Sequence, residues 1–150
     1  MKQIAFTLLL LSAFSYGQTS ETPKSNNLEL GAFSVSLKVK DIKKSVEFYQ
    51  KLGFTYKNGN IDQKWIVLKN GNTVIGLFEG YIEGNTLTFN PGWDQNAKNL
   101  ENFTDIREIQ KTLKSENVKL DREADENTKG PEYILLKDPD GNPILIDQHR

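Results

Sequence analysis

The sequence has no cysteine among its 150 residues and a single histidine, His149. The lack of cysteine excludes a disulfide scaffold, a thiol nucleophile and a cysteine-based zinc or iron–sulfur site. One histidine offers little for a hydrolytic triad, and neither a Gly-rich phosphate loop nor a nucleophile elbow is present. Lys and Arg number 19 and Asp and Glu 20, a formal net charge of -1. That balance excludes a basic nucleic-acid surface as the main activity, so we predict no nucleic-acid partner.

Long apolar runs are scarce as well. The one candidate, Ile4 to Phe14, follows Met1-Lys2-Gln3 and precedes small residues. It is shorter than the roughly 20 residues that span a bilayer, and this arrangement is typical of a secretory signal. We therefore predict a signal peptide at 1–17, cut ahead of Gln18, with a buried first helix as the alternative. The protein would be exported, periplasmic or secreted, without a membrane span in the mature chain.

The segment that follows the predicted cut, 18–30, is mostly polar and indicates a flexible leader. Residues 31–150 are predicted to form a single domain that contains an internal repeat. Asp41 precedes Gly53 by 12 residues, and Asp105 precedes Asn117 by the same interval. This spacing predicts two helices, each with an Asp at its N-cap and a left-handed residue just past its end. The apolar stripes of the two helices are Ile42, Val46, Tyr49 and Leu52, and Ile106, Ile109 and Leu113.

Strands repeat in the same way. Two hairpins are predicted, at 65–75 with a turn at Asn70-Gly71 and at 133–145 with a turn at Asp138–Gly141. The opening strand alternates, with Phe33, Val35, Leu37 and Val39 on one face and Ser34, Ser36 and Lys38 on the other. Each half therefore reads as a strand, a helix and three strands, in modules of about 31–80 and 84–150.

Two motifs at this spacing resemble the vicinal oxygen chelate superfamily, which includes glyoxalases, bleomycin-resistance proteins and extradiol dioxygenases. They are Leu37-x-Val39-x-Asp41-x-x-x-Ser45-x-x-Phe48-Tyr49-x-x-Leu52-Gly53-Phe54 and Asp138-Pro139-Asp140-Gly141-Asn142. The resemblance implies an α+β fold, in which two βαβββ modules in tandem form an open, cup-shaped mixed sheet with the helices outside. Enzymes of this superfamily hold a divalent metal in the cup, and homodimers are common among them.

The positions that the resemblance assigns to metal ligands carry other residues here. Ser34 stands seven residues before Asp41, and Leu145 stands four residues after Gly141. By the repeat, Ile75 is the counterpart of Leu145, and a fourth position falls near residues 85–89, where no His, Glu or Gln occurs. Divalent transition metals prefer imidazole and carboxylate ligands, so we predict that the usual metal site is lost and that no cofactor is held.

A displaced metal site remains the alternative, with Glu79, Asp147 and His149 as ligands of a divalent metal. The first two could also act as an acid–base pair if one were buried. The spacing Asp138-x-Asp140-x-Asn142 resembles a calcium loop, but Pro143 stands where that loop needs glycine, so a turn explains it better.

These observations favour an exported, metal-free protein that binds a small, partly apolar molecule in its cup. Trp93 follows a Pro-Gly turn between the modules and would either stack on that ligand or fill the seam between modules. The alternatives are a glyoxalase-like lyase or dioxygenase with a displaced metal, and a protein-interaction module with a closed cup. A homodimer and a monomer are both compatible with the sequence. The predicted pocket consists of Ser34, Ser36, Ile75, Leu77, Glu79, Trp93, Leu145 and Asp147.

Overall fold

A computed structural model describes residues 28–150 of the chain, so the predicted signal peptide and leader residues 18–27 lie outside it. Its elements are β1 (Ala32–Lys38), α1 (Ile42–Lys51), β2 (Thr55–Asn60), β3 (Trp65–Asn70), β4 (Thr73–Phe78), β5 (Thr86–Asn90), α2 (Ile106–Ser115), β6 (Leu120–Arg122), β7 (Glu132–Lys137) and β8 (Pro143–Gln148). The order strand, helix and three strands occurs twice. In the described residues no helix has the length and apolar character needed to cross a bilayer.

All eight strands form one mixed sheet in the order β2-β3-β4-β1-β5-β8-β7-β6. The first strands of the two halves, β1 and β5, are antiparallel neighbours at its centre. Each also pairs in parallel with the last strand of its own half, β1 with β4 and β5 with β8. The order is therefore symmetric about the β1–β5 pair, and the predicted α+β fold with a mixed open sheet is confirmed.

Both helices begin and end as their sequence signals predict. Asp41 Oδ1 accepts a hydrogen bond from the Lys44 amide at the start of α1, and Asp105 accepts one from the Arg107 amide at the start of α2. Gly53 and Asn117, just past the helix ends, have φ angles of 84° and 61°. Glycine and asparagine tolerate this left-handed conformation better than other residues, so each chain reversal is encoded locally.

The helices cover one face of the sheet and create two apolar cores. In the first half, Ile42 of α1 packs with Ile66, Leu68, Ile75 and Leu77. In the second half, Ile106 and Ile109 of α2 pack with Ala124, Ile134, Leu136 and Ile146. Leu28 and Leu30 also pack against this second core, so the ordered domain includes residues that the sequence assigned to the leader. Leu52, the predicted end of the first apolar stripe, is instead 55% exposed.

Within residues 28–150 no helix lies on the opposite face of the sheet, which we call the open face. Its members follow from strand alternation and from the pairing register, because paired residues point to the same side. Leu37 packs in the first core, so Ser34, Ser36 and Lys38 of β1 belong to the open face, as predicted. Moving outward from β1, the register adds Thr86, Thr88, Gly76, Phe78, Val67, Trp65, Leu145, Asp147, Leu135 and Tyr133.

Candidate functional site

Two hydroxyl groups meet at the centre of the open face. Ser36 Oγ lies 2.9 Å from Thr88 Oγ1, and both residues are buried. This bond joins β1 to β5 across the symmetry axis of the sheet. Ser34 lies one position along the same face of β1, opposite Thr88 in the register. The middle of the face therefore presents neutral hydroxyl groups, with apolar and aromatic side chains on either side.

The pairing register corrects one predicted ligand position. Ser36 pairs with Gly76 in the first half, and the corresponding pair in the second half is Thr88 with Leu145. Gly76, not Ile75, is therefore the counterpart of Leu145. The repeat goes out of phase because the first hairpin turns through two residues, Gly71 and Asn72, whereas the second uses residues 138–142.

Because the two hairpins turn differently, two predicted pocket residues lie in the core and not on the open face. Ile75 and Leu77 are 7% and 0% exposed and belong to the core beneath α1. The sequence predicts both on the ligand-facing side, and that prediction is wrong, since a shift of one residue along a strand reverses the direction of every side chain. Gly76 and Phe78 take their place on the open face.

An aromatic ring fills the space above Gly76. A Cβ atom added to this glycine would lie 2.6 Å from Cε2 of Phe78, which is closer than a real contact allows. The Phe78 ring therefore folds back over the strand position that corresponds to Leu145. Trp65, paired with Phe78 across the β3–β4 hairpin, extends this aromatic surface. On the other flank, Leu145 pairs with Leu135, and Tyr133 pairs with Asp147.

Glu79 does not face the same side as Asp147. Its Oε2 accepts a hydrogen bond from the Ile42 amide at 3.1 Å, and its Oε1 lies 2.7 Å from Lys64 Nζ. These bonds from Lys64 and Ile42 hold the pKa of Glu79 below its ordinary value. The side chain thus stabilises the start of α1, where backbone N–H groups lack partners within the helix.

Gln148 does for α2 what Glu79 does for α1. Its Oε1 accepts the Ile106 amide at 2.7 Å, and its Nε2 donates to Asp105 Oδ2 at 3.0 Å. Gln148 is 1% exposed. Each residue lies at the end of the last strand of its half and accepts a hydrogen bond from the first amide of a helix. This shared position indicates that Glu79 stabilises the fold.

Trp93, Asp147 and His149 form a contiguous group at one end of the open face. The Trp93 and His149 rings are stacked, with centroids 4.3 Å apart and planes inclined by 7°. His149 Nε2 lies 3.2 Å from Asp147 Oδ2. Trp93 Nε1 also donates to Asn99 Oδ1 at 3.0 Å. One face of the indole is therefore occupied by a neighbouring side chain.

The segment that carries Trp93 is built as an ordered arm. Trp93 and Asn99 form a short antiparallel bridge, and the Leu100 amide donates to the Gly92 carbonyl at 2.9 Å. Gln95 bonds both the N–H and the carbonyl of Phe33, the former at 3.0 Å. Asn96 accepts a hydrogen bond from the ammonium group of Lys69, which lies on the open-face side of β3. The arm thus borders one end of the open face.

Two surface pockets lie away from the centre of the open face. The first, of about 360 Å³, lies between the end of β1 and the first turns of α1. The second, of about 380 Å³, lies beside the arm, and Trp93 is among its lining residues together with Leu30 and Leu100. Ser36 and Leu145, two of the predicted contacts, line neither of them.

The sequence matches the model of the Glyoxalase/Bleomycin resistance protein/Dioxygenase superfamily over residues 32–146. The chain belongs to this superfamily. No curated protein matches it significantly. Among solved structures, a superfamily member from Vibrio splendidus 12B01 is similar at 17% identity with a TM-score of 0.54, covering 77% of this chain and 97% of its own.

Two further solved structures share the fold of this superfamily member. One is described as NAD-dependent benzaldehyde dehydrogenase from Legionella pneumophila, with 18% identity, a TM-score of 0.59, and coverage of 79% of this chain and 99% of that one. The other is a methylmalonyl-CoA epimerase from Streptomyces coelicolor in complex with 2-nitronate-propionyl-CoA, with 16% identity, a TM-score of 0.54, and coverage of 81% and 99%. At these identities the likeness concerns the fold.

The residues on the open face do not fit the divalent metal that many relatives hold. The positions in question carry Ser34, Gly76, Leu145 and, on β5, Thr86 or Thr88. A glycine and a leucine offer no ligand atom, and neutral hydroxyl groups are poor substitutes for imidazole or carboxylate. Across residues 28–150, no three His, Asp or Glu side chains are grouped so that they could hold a metal ion. Glu79, Asp147 and His149 are therefore not brought together as one ligand set.

Sequence reasoning missed several members of the open face. Thr88, Gly76 and Phe78 were not predicted. Alternation along 73–78 indicates Gly76 and Phe78 once the hairpin register is known, whereas Thr88 requires the pairing of β1 with β5. Trp65 and Tyr133, at the starts of the two predicted hairpins, were not among the predicted pocket residues. Both lie on the open face, and Tyr133 is 38% exposed.

Proposed function

We propose that this superfamily member binds a small, partly apolar molecule on its open face without a metal, and that it acts outside the cytoplasm after export. The observation that carries the proposal is the chemistry of the face. A central Ser36–Thr88 hydroxyl pair is flanked by Phe78 on one side and Leu145 on the other. Pockets that bind small molecules combine apolar walls with a few polar groups in this way.

Charged groups of the open face already have partners within the protein. Asp147 Oδ2 lies 3.2 Å from His149 Nε2, and the ammonium group of Lys69 donates to the side chain of Asn96. Arg122 lies over the Tyr133 ring, 3.5 Å from its centroid, and its Nη2 is 2.7 Å from Glu132 Oε1. An uncharged ligand would leave these pairs intact, whereas a charged one would have to compete with them. We therefore expect a neutral ligand with a flat apolar part and a hydrogen-bonding group.

A thermal-shift screen of neutral aromatic and aliphatic compounds tests the proposal, because a ligand that binds only the folded state raises the Tm. Leu145→Asn is expected to weaken the strongest hit about tenfold, since it replaces an apolar contact by a polar one. Leu52→Asn is the matched control, because Leu52 is exposed at the end of α1. The absence of any stabilising compound, or equal weakening by both variants, would contradict the proposal.

A lyase or dioxygenase with a displaced metal is the second candidate, and one observation favours it. The only histidine of the chain lies 3.2 Å from a carboxylate on the open face. Metal analysis after expression with added nickel, zinc, iron and manganese discriminates between the two. Less than about one tenth of an equivalent rules the second candidate out, whereas an equivalent lost in His149→Ala supports it.

A further inference from the structure

A pocket between β1 and α1 has no part in the function proposed above, although Lys38, the last residue of β1, pairs with Phe78 of the open face and also lines this pocket. It measures about 360 Å³, within the range of small-molecule sites. Leu37, Val39, Phe48 and Tyr49 supply its apolar lining. The pocket adjoins Asn85, which precedes β5, so both halves of the chain contribute to it.

The aromatic part of this lining is open to solvent. Phe48 is 55% exposed although it lies on a well-formed helix. Its ring meets Tyr49 edge to face, with centroids 5.3 Å apart and planes at 84°. A flat apolar molecule seated in the pocket would cover the Phe48 ring and remove apolar area from water, which is favourable.

Only cations provide charge in the pocket lining. Lys38 and Lys44 are its charged members, and no carboxylate lines it. Each ammonium group has an acidic neighbour, at 3.4 Å for Lys38 and Glu83 and at 3.3 Å for Lys44 and Asp41. Both pairs are exposed, and surface pairs of this kind contribute little, so either lysine can turn to a bound anion at low cost.

Asn85 adds a neutral donor beside these cations. Its Oδ1 accepts a hydrogen bond from the Lys38 backbone N–H at 3.1 Å, so its side-chain nitrogen is the group left to donate. We propose that this pocket binds a small aromatic carboxylate. The ring lies against Phe48, and the carboxylate is held between the ammonium groups of Lys38 and Lys44. Charge and apolar contact then act on opposite ends of the same molecule.

Naphthalene-2-carboxylate is a suitable probe, with naphthalene-2-carboxamide as its neutral counterpart. In an amide NMR titration of the purified chain, the carboxylate is expected to shift the resonances of residues 37–39, 44–49 and 85. The carboxamide should bind about tenfold more weakly, because it lacks the charge. Equal binding of the two probes, or shifts confined to the open face, would overturn the proposal.

Matched variants separate charge from contact. Lys38→Gln combined with Lys44→Gln should weaken the carboxylate about tenfold and leave the carboxamide unchanged. Lys43→Gln combined with Lys51→Gln removes the same charge from exposed sites outside the lining and should have little effect on either probe. Phe48→Ala should weaken both probes. Equal losses in the two double variants would show long-range attraction only and would refute the site, whatever the open face binds.

Discussion

Gln148 and Glu79 show how two different residue types perform the same task in different surroundings. Both accept the first amide of a helix, but Gln148 is buried and also donates to Asp105, whereas Glu79 is paired with Lys64 near the surface. A carboxylate is suitable at position 79 because the Lys64 ammonium group lies beside it. An amide is required at position 148 because the Asp105 carboxylate already lies there and accepts a hydrogen bond from it.

Exchanging the two groups should therefore be strongly asymmetric. Gln148→Glu places a buried negative charge beside Asp105 and is expected to lower the free energy of unfolding by about 3 kcal/mol. Glu79→Gln keeps the acceptor for Ile42 and loses only the pair with Lys64, so it should have a much smaller effect. Urea denaturation of the two variants at neutral pH measures the difference. Similar losses in both would contradict this account of the helix starts.

Gly76 is needed for the Phe78 ring and not for its backbone angles. Gly76→Ala should destabilise the fold by about 1–3 kcal/mol, because the new methyl group overlaps the ring. In a Phe78→Ala background the same substitution should cost little, and the difference between the two backgrounds is the coupling energy. Thermal unfolding of the four proteins measures it. An equal cost in both backgrounds would show that the ring does not occupy this space.

At the scale of the elements, local sequence signals predicted the helices correctly but did not predict which face of the sheet the β4 side chains occupy. Both helices followed from Asp41, Gly53, Asp105 and Asn117, because capping and left-handed residues act over a few positions. The direction of the β4 side chains did not follow, because it depends on whether a hairpin turns through Gly71-Asn72 or through Asn70-Gly71. That choice is made by the whole β3–β4 register. Ile75 and Leu77 were therefore placed on the wrong face.

Glu132 of β7 forms an ion pair with Arg122 of β6 and so links the two strands at the edge of the sheet. Hydrogen bonds from the Tyr133 amide, the Arg122 side chain and the Asp125 amide lower the pKa of Glu132 to about 2. A pKa that is depressed in the folded state adds stability above the ordinary value near 4.5, and this stability is lost as the pH falls toward 2.

Glu132→Gln should accordingly flatten the acid side of the stability profile. We expect the variant to be less stable than the parent at pH 6, and the two to converge near pH 2. Urea denaturation between pH 2 and pH 6 measures both profiles, with Glu101→Gln as a control at an exposed glutamate. A constant difference across this range would show that the charge of Glu132 does not stabilise the edge of the sheet.

At the scale of the whole molecule, the order of strands and helices was easier to predict than the residues of the open face. The motifs at 37–54 and 138–142 resemble the superfamily, and the match over residues 32–146 shows that the chain belongs to it. The open face could be predicted only in part, as Ser34, Ser36, Leu145 and Asp147. The remainder needed pairings between distant strands, such as Ser36 with Gly76 and Thr88 with Leu145. Such contacts join residues far apart in the chain, and no local pattern specifies them.

The most direct test is an amide NMR titration with the strongest stabilising neutral compound, before and after treatment of the protein with EDTA. The account predicts shifts centred on Ser34, Ser36, Thr88 and Leu145, with a dissociation constant that EDTA leaves unchanged. Binding that disappears with EDTA and returns with zinc or nickel would contradict it, as would shifts that avoid the open face.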